Sequence, residues 1–322
     1  MADPNPFTQD YRTYAEALRA ENESKLAAFR QGLSLELGQL RGVSVAITGS
    51  HARLEAGLGS NIETILIKDR ADNAAATRPL SLLSGLQRTP AGDENCAEDL
   101  IEVKNIDTDD MYRFNNERRK NFPGRLLYAA PLHGDQTTFA AARDKLFSEL
   151  RGTAGKDVLH SLKNRVRDFR EVIKTGKQKF NQETTLQHFD LNEGIAYYDP
   201  AQKLLGLKAG PLRYTQVRTL RESLGAARTT DEATARRILL DSPASIPLRL
   251  EFLSEQGVLP FTEQQRKTVE DTYFFALAAY HQSQIRYWQI GERKTLFDAR
   301  EVRERLSDLC SIFGYELVVP QK

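Results

Sequence analysis

Residues Val43 to Ile67 read VSVAITGSHARLEAGLGSNIETILI. The run Val43 to Thr48 is β-branched and apolar, Gly49-Ser50 breaks it, and Thr64 to Ile67 resumes it. The segment therefore predicts strand, tight turn, short helix, strand. Glycine admits a tight backbone turn, and a helix beginning just after it offers unpaired amides and a positive dipole end to a phosphate. Ten residues separate Ser50 from Asn61, with Glu63 two beyond. Side chains alternate along a strand, so positions 61 and 63 would share a face.

Working outward, Tyr11, Tyr14, Leu18, Leu26, Phe29, Leu33, Leu37 and Leu40 recur at the period of one helical face, predicting a long helix or helix pair to about Gln39. Downstream, a Pro/Gly/Asn-rich loop is expected from Ala71 to Glu98, a third strand at Leu100 to Val103, and a fourth around Arg125 to Tyr128 ending at Pro131 and Gly134. From Asp135 the pattern is helical except for GIAYYDPAQKLLGLK, Gly194 to Lys208, where two apolar runs flank Asp-Pro as in a β-hairpin.

The chain has 322 residues, room for two domains, and 45 Lys+Arg balance 44 Asp+Glu, so global charge names no polyanionic partner. Cys96 and Cys310 lie far apart without CxxC or Cys/His neighbours, which leaves a disulfide framework, a zinc site and a thiol nucleophile without support. No window approaches the run of about 18 apolar residues that a membrane span requires, and the N-terminus lacks a signal-peptide pattern. A cytoplasmic protein without a membrane partner is expected.

The run GSHARLEAGLGSNIE aligns without gaps to G-G-x-G-R-x-E-x4-S-D-x-D and resembles the nucleotidyltransferase superfamily, in particular the uridylyltransferase that modifies the PII signalling protein and its smaller relatives. GLKAGPLRYTQVRTL is similar to that family's K-x-G-P-G-G-L-R-D-[IL]-Q segment, with two glycines missing and Tyr214 in place of Asp. FPGRLLYAAPLHGDQTTFAAARDKL is similar to the R-x-L-x-G segment that closes its catalytic domain. The resemblance covers roughly residues 42 to 220. It implies an α+β protein: an N-terminal helical arm over 1–41, a small mixed-sheet nucleotidyltransferase-like domain over 42–134, and a helical-bundle domain over 135–322 carrying the hairpin near 194–208, with the nucleotide in the cleft between the last two. It implies Mg²⁺ or Mn²⁺ and a nucleoside triphosphate, ATP or UTP, with Gly49, Ser50, Arg53, Lys208 and Arg213 on the nucleotide. Asn61, Glu63 and Glu102 take the metal positions. Glu102 enters because Ile101-Glu102-Val103 has the apolar-acid-apolar form of the family's third carboxylate.

Asn61 departs from the family pattern, which has Asp there. Magnesium prefers hard, charged oxygen ligands, so a neutral amide weakens the site. Two readings follow: nucleotidyl transfer to a hydroxyl acceptor, with a protein acceptor favoured by analogy, or an inactive nucleotide-binding or protein-interaction module. An Asn introduced to trap a complex would look the same. A nucleic-acid-binding protein is a further alternative, because Lys163, Arg167, Arg170, Lys174 and Lys177 form a basic stripe beside the apolar stripe Leu159, Leu162, Val166, Phe169 and Ile173; a solvated helix face accounts for it equally. His51 follows the turn at the family's variable position and is expected to be a turn residue, and His160, His188 and His281 have no metal-ligand spacing. Tyr273, Phe274, Phe275, Tyr280 and Trp288 are expected in the core of a late helix.

Overall fold

A computed structural model describes residues 10–57, 60, 62–69, 98–106, 122–175, 177–179, 185–187, 189–190, 193–199, 204–205 and 208–314. It is a mixed α and β structure whose chain divides into two compact units drawn from alternating segments. One comprises residues 18–159 and 223–249, the other 1–17, 160–222 and 250–322. The loop expected at 71–98 lies outside the described residues.

In the first unit a four-stranded sheet has the order β3-β2-β1-β4. The strands are β1 (Val43–Thr48), β2 (Glu63–Lys68), β3 (Glu98–Glu102) and β4 (Ala130–Gly134). β1 pairs antiparallel with β2 and β4, and β2 pairs parallel with β3. All six β1 residues are buried, because the sheet is covered by helices as well as flanked by strands. On one face Val43, Val45, Ile47 and Leu66 pack with Leu26, Leu33 and Leu37 of α1 (Tyr11–Leu37). The i, i+7, i+11 spacing of those leucines is the helical period read in the sequence. Ala46, Ile65 and Ile67 are fully buried outside that cluster, and α4 (Gln136–Arg151) packs against β1 and β2. Asp135 caps α4, accepting from Thr137 N at 2.9 Å, and also accepts from Gly42 N at 3.0 Å.

The fourth strand departs from expectation. Residues Phe122–Leu127 form a short helix, α3, and β4 begins only at Ala130. Pro123 falls in the first turn of α3, where its missing N–H costs nothing, and Arg-Leu-Leu favours the helix. Pro131, expected to end a strand, lies inside β4, because β4 is an edge strand and a proline can face outward there.

The rest of this unit closes the C-terminal end of α4. Arg228, late in α6 (Arg213–Thr229), donates from Nη1 to the carbonyls of Leu150 at 2.8 Å, Arg151 at 3.1 Å and Gly152 at 2.6 Å. A cation on carbonyls that the helix itself leaves unpaired satisfies both partners.

The second unit is helical, with small β elements. It includes most of α5 (Ala154–Thr175), the start of α6, the later part of α7 (Ile246–Glu255), α8 (Glu263–Ile290) and α9 (Ala299–Ile312). Its strands include β5 (Ile195–Asp199), paired with β6 (Leu204–Leu205), and the edge strand β7 (Lys294–Leu296). The two apolar runs around Asp199-Pro200 thus pair as a hairpin. Tyr273, Phe275 and Tyr280 are buried in α8, whereas Trp288, nearer its C-terminus, is 42% exposed.

Candidate functional site: the turn between β1 and β2

The site is built on one glycine. Thr48 ends β1 in extended backbone, and Gly49 takes φ +69° to open the single turn α2 (Gly49–Ala52). Two features favour glycine here. The left-handed region disfavours any side chain, and a Cβ at this position would sit 2.5 Å from Oε2 of Glu63. Glu63 arrives there because it pairs directly with Thr48 across the β1–β2 ladder, and directly opposed residues share a face. The end of β1 therefore carries a carboxylate resting against a bare glycine backbone.

The turn is held from below. Glu55 N donates to Ser50 O at 2.8 Å, and Leu54 N to His51 O at 3.1 Å with Leu54 at φ 62°. Asn22 of α1, fully buried, donates from Nδ2 to Ala56 O at 3.1 Å. His51 points into the structure: it is buried, its ring meets Phe29 edge-on with centroids 6.3 Å apart, and neither ring nitrogen makes a hydrogen bond. Burial, and after it the positive charge of Lys25, lower its pKa to about 4; the Ser60 backbone and the Glu63 charge oppose this. His51 is thus a neutral packing residue beneath the turn.

The expected ligands divide into those the turn gathers and those it does not. Gly49, Ser50 and Glu63 are together. Arg53 is adjacent in sequence, but its Nε donates to Oε2 of the buried Glu55 at 2.8 Å, so its charge is spent within the turn. Glu102 sits elsewhere. The parallel β2–β3 register sets Lys68 opposite Glu102, five residues along from Glu63, about 16 Å at the rise of an extended strand. That odd separation also places it on the other face. There its carboxylate meets Lys68 Nζ at 2.8 Å and Lys104 Nζ at 3.2 Å, and those contacts hold its pKa below the usual carboxylate range. The geometry does not bring Glu102 to Glu63.

Asn61 lies outside the described residues. Lys208 and Arg213 belong to the other compact unit, where Lys208 opens a π-helical turn, Lys208–Leu212, and Arg213 begins α6. Tyr214, which stands where the family pattern has Asp, is a core residue edge-on to Phe313 with centroids 5.3 Å apart. Gln216 donates to the Tyr273 hydroxyl at 3.0 Å. Of the basic stripe, Lys163 and Arg167 are exposed, while Leu162, Val166, Phe169 and Ile173 are buried.

One residue at the turn was absent from the expected set. Arg125 of α3 donates from Nε to Thr48 Oγ1 at 3.3 Å, which places a guanidinium beside the residue that pairs with Glu63. The signal was Pro-Gly ahead of Arg-Leu-Leu, a helix start read instead as a strand.

Chemically, the assembly offers a hard anionic oxygen and a glycine backbone that a ligand can approach closely, with the Arg125 guanidinium nearby. Among the described residues no group of three or more His, Cys, Asp or Glu side chains comes together as a metal site, and no helix is long and apolar enough to cross a membrane. The chain matches no protein-family model, and no curated protein matches it in sequence.

Proposed function

We propose that this chain binds a nucleoside triphosphate at the β1–α2 turn and transfers its nucleotidyl group to a hydroxyl acceptor, preferably on a protein, in the cytoplasm. The observation that carries the reading is the Glu63 carboxylate lodged against Gly49, an arrangement that places a hard oxygen ligand beside a backbone able to approach phosphate. In such a transfer the acceptor oxygen bonds to the α-phosphorus as the bond to the bridging oxygen breaks, and pyrophosphate leaves. Glu63 is the described residue that would hold Mg²⁺ or Mn²⁺, which when bound supplies neutralisation of the triphosphate charge. Gly49 and Ser50 would orient the phosphates from the backbone side.

A second reading is favoured by the placement of Glu102 and by the Arg53–Glu55 pair. With one carboxylate on the described side of the turn and an amide at Asn61, the site would bind nucleotide without turning it over and serve as an interaction module. Incubation with labelled ATP, CTP, GTP and UTP plus Mg²⁺ or Mn²⁺ separates the two. Transfer releases labelled pyrophosphate and a labelled acceptor; the module binds nucleotide and releases neither; a chain that does not bind any of the four at millimolar concentration does neither job.

A further inference from the structure

The longest helix of the second compact unit ends with apolar side chains in water. Trp288 and Ile290, in the last turn of α8, are 42% and 56% exposed, and Leu296 of β7 is 72% exposed. Single exposed apolar residues are ordinary; three between 288 and 296, beside a strand edge, are not. The faces of that strand are also unusual. Thr295 and its partner Ala196 are buried, while Lys294, Leu296 and the directly opposed Tyr197 and Ile195 lie on the other face. An outer face of this kind is ordinarily polar; here it carries isoleucine, tyrosine and leucine beside one lysine.

The strand offers backbone as well as side chains. Among the described residues β7 pairs with β5 alone, and just past its end Phe297 N donates to Gly194 O at 2.8 Å. Hydrogen-bonded and non-hydrogen-bonded pairs alternate along an antiparallel ladder. With Phe297–Gly194 a hydrogen-bonded pair, Thr295–Ala196 is the next, so Lys294 and Leu296 turn their N–H and C=O groups away from β5. A lysine by itself would blunt such an edge. An exposed leucine beside it does the opposite, and together they suit an extended segment whose backbone pairs with Lys294 and Leu296.

Charge selects the occupant. From 286 to 296 the chain carries Arg286, Arg293 and Lys294 against one acid, Glu292, and Arg286 binds that acid, with Nε at 3.1 Å. Arg293 and Lys294 are exposed, and Lys294 Nζ lies 5.7 Å from the centre of the Tyr197 ring. A second copy of the chain would bring this positive edge against its like, whereas a segment bearing carboxylates is drawn to it. We propose that the outer edge of β7 binds an acidic, extended peptide segment of a protein partner by strand addition, with apolar side chains of the peptide on Leu296 and its carboxylates toward Arg293 and Lys294. The peptide edge belongs to one compact unit and the β1–α2 turn to the other, and each stands or falls without the other.

The test is fluorescence anisotropy of labelled Glu-X-Glu-X-Glu peptides, X being Val, Leu or Phe, and of the matching Lys-X-Lys-X-Lys peptides, titrated at low salt with the full chain and two variants. One variant combines Arg293→Glu with Lys294→Glu. The other, Leu296→Pro, removes an N–H that faces outward, which an edge strand tolerates, so both should melt as the unmodified chain does. At least one acidic peptide should bind with a Kd below about 1 mM, and the lysine peptides should not. The charge reversal should weaken binding about tenfold or more, and Leu296→Pro should abolish it. Failure of every acidic peptide to bind overturns the proposal, as does unchanged affinity in either variant. Binding to phosphatidylcholine–phosphatidylserine vesicles in place of the peptides, lost in the charge reversal, would make this a lipid-facing edge. A dimer in sedimentation that Leu296→Pro dissociates would make it a contact between copies, and either result overturns the peptide assignment.

Discussion

Gly49→Ala is the perturbation whose cost can be worked from the geometry of the turn. A side chain at φ +69° carries a conformational penalty of about 1–2 kcal/mol. The added Cβ would also lie 2.5 Å from Glu63 Oε2 and 3.1 Å from its carboxyl carbon. The clashing atom is the far end of a flexible side chain, so the carboxylate should swing away and the backbone term should dominate stability. In a unit of this size about 1–2 kcal/mol corresponds to a fall in Tm of roughly 2–8 °C. Chemical denaturation of the single variant, of Glu63→Ala and of the double variant separates the two contributions. Against Glu63→Ala the backbone cost of Gly49→Ala remains and the clash does not, so any coupling between the sites measures the carboxylate's displacement. Metal-dependent nucleotide affinity should fall in Gly49→Ala by more than its stability loss explains, because the oxygen ligand has moved. A Gly49→Ala chain with unchanged stability and unchanged affinity would refute both the left-handed turn and the contact with Glu63.

The buried His51 makes stability acid-sensitive. Its folded pKa, about 4, lies below the unfolded value of about 6.5, so its neutral form favours folding above that upper value, and the benefit is lost as pH falls from about 6.5 toward 4. At pH 5 the loss should be about 2 kcal/mol relative to pH 7.5; denaturation of His51→Phe should show a correspondingly flatter pH dependence, and an unaltered profile would remove His51 as the cause. Arg53→Met should lower stability by about 2 kcal/mol through the stranded Glu55 while leaving nucleotide affinity nearly unchanged, as measured by melting and calorimetry; the reverse pattern would return Arg53 to the ligand. Asn61→Asp should tighten Mn²⁺ binding and raise nucleotidyl transfer, and Glu63→Gln in that background should cancel the gain; no change with any of the four nucleotides would favour the interaction module.

The strands of the turn were legible because their signals are local. Helices pack on the sheet around β1, so Val43 to Thr48 form an unbroken buried run with glycine at its end. The leucines of α1 repeat at the spacing by which they pack on that strand. What local pattern cannot carry is register. Ile101-Glu102-Val103 has the form of a strand acid, but only the long-range pairing of Lys68 with Glu102 decides which end of the sheet that acid occupies. The helix at Phe122–Leu127 was obscured by Pro131, whose meaning depends on whether its strand lies at an edge. Arg53 looked like a phosphate ligand by motif, and Glu55, two residues on, was the cue that its charge could be met within the turn. Arg125 reaches Thr48 from 77 residues away, and no spacing rule joins them.

The proposed nucleotide site requires Glu63, held against Gly49, to anchor a metal-complexed nucleotide. Its most direct test is a calorimetric titration of the unmodified chain and of Glu63→Gln with the four nucleoside triphosphates, each with and without Mn²⁺. The unmodified chain should bind at least one triphosphate more tightly with Mn²⁺ than without, and Glu63→Gln, equally stable, should lose the metal-dependent part. Binding that is the same in both chains, or absent from the unmodified chain at millimolar nucleotide, would contradict it.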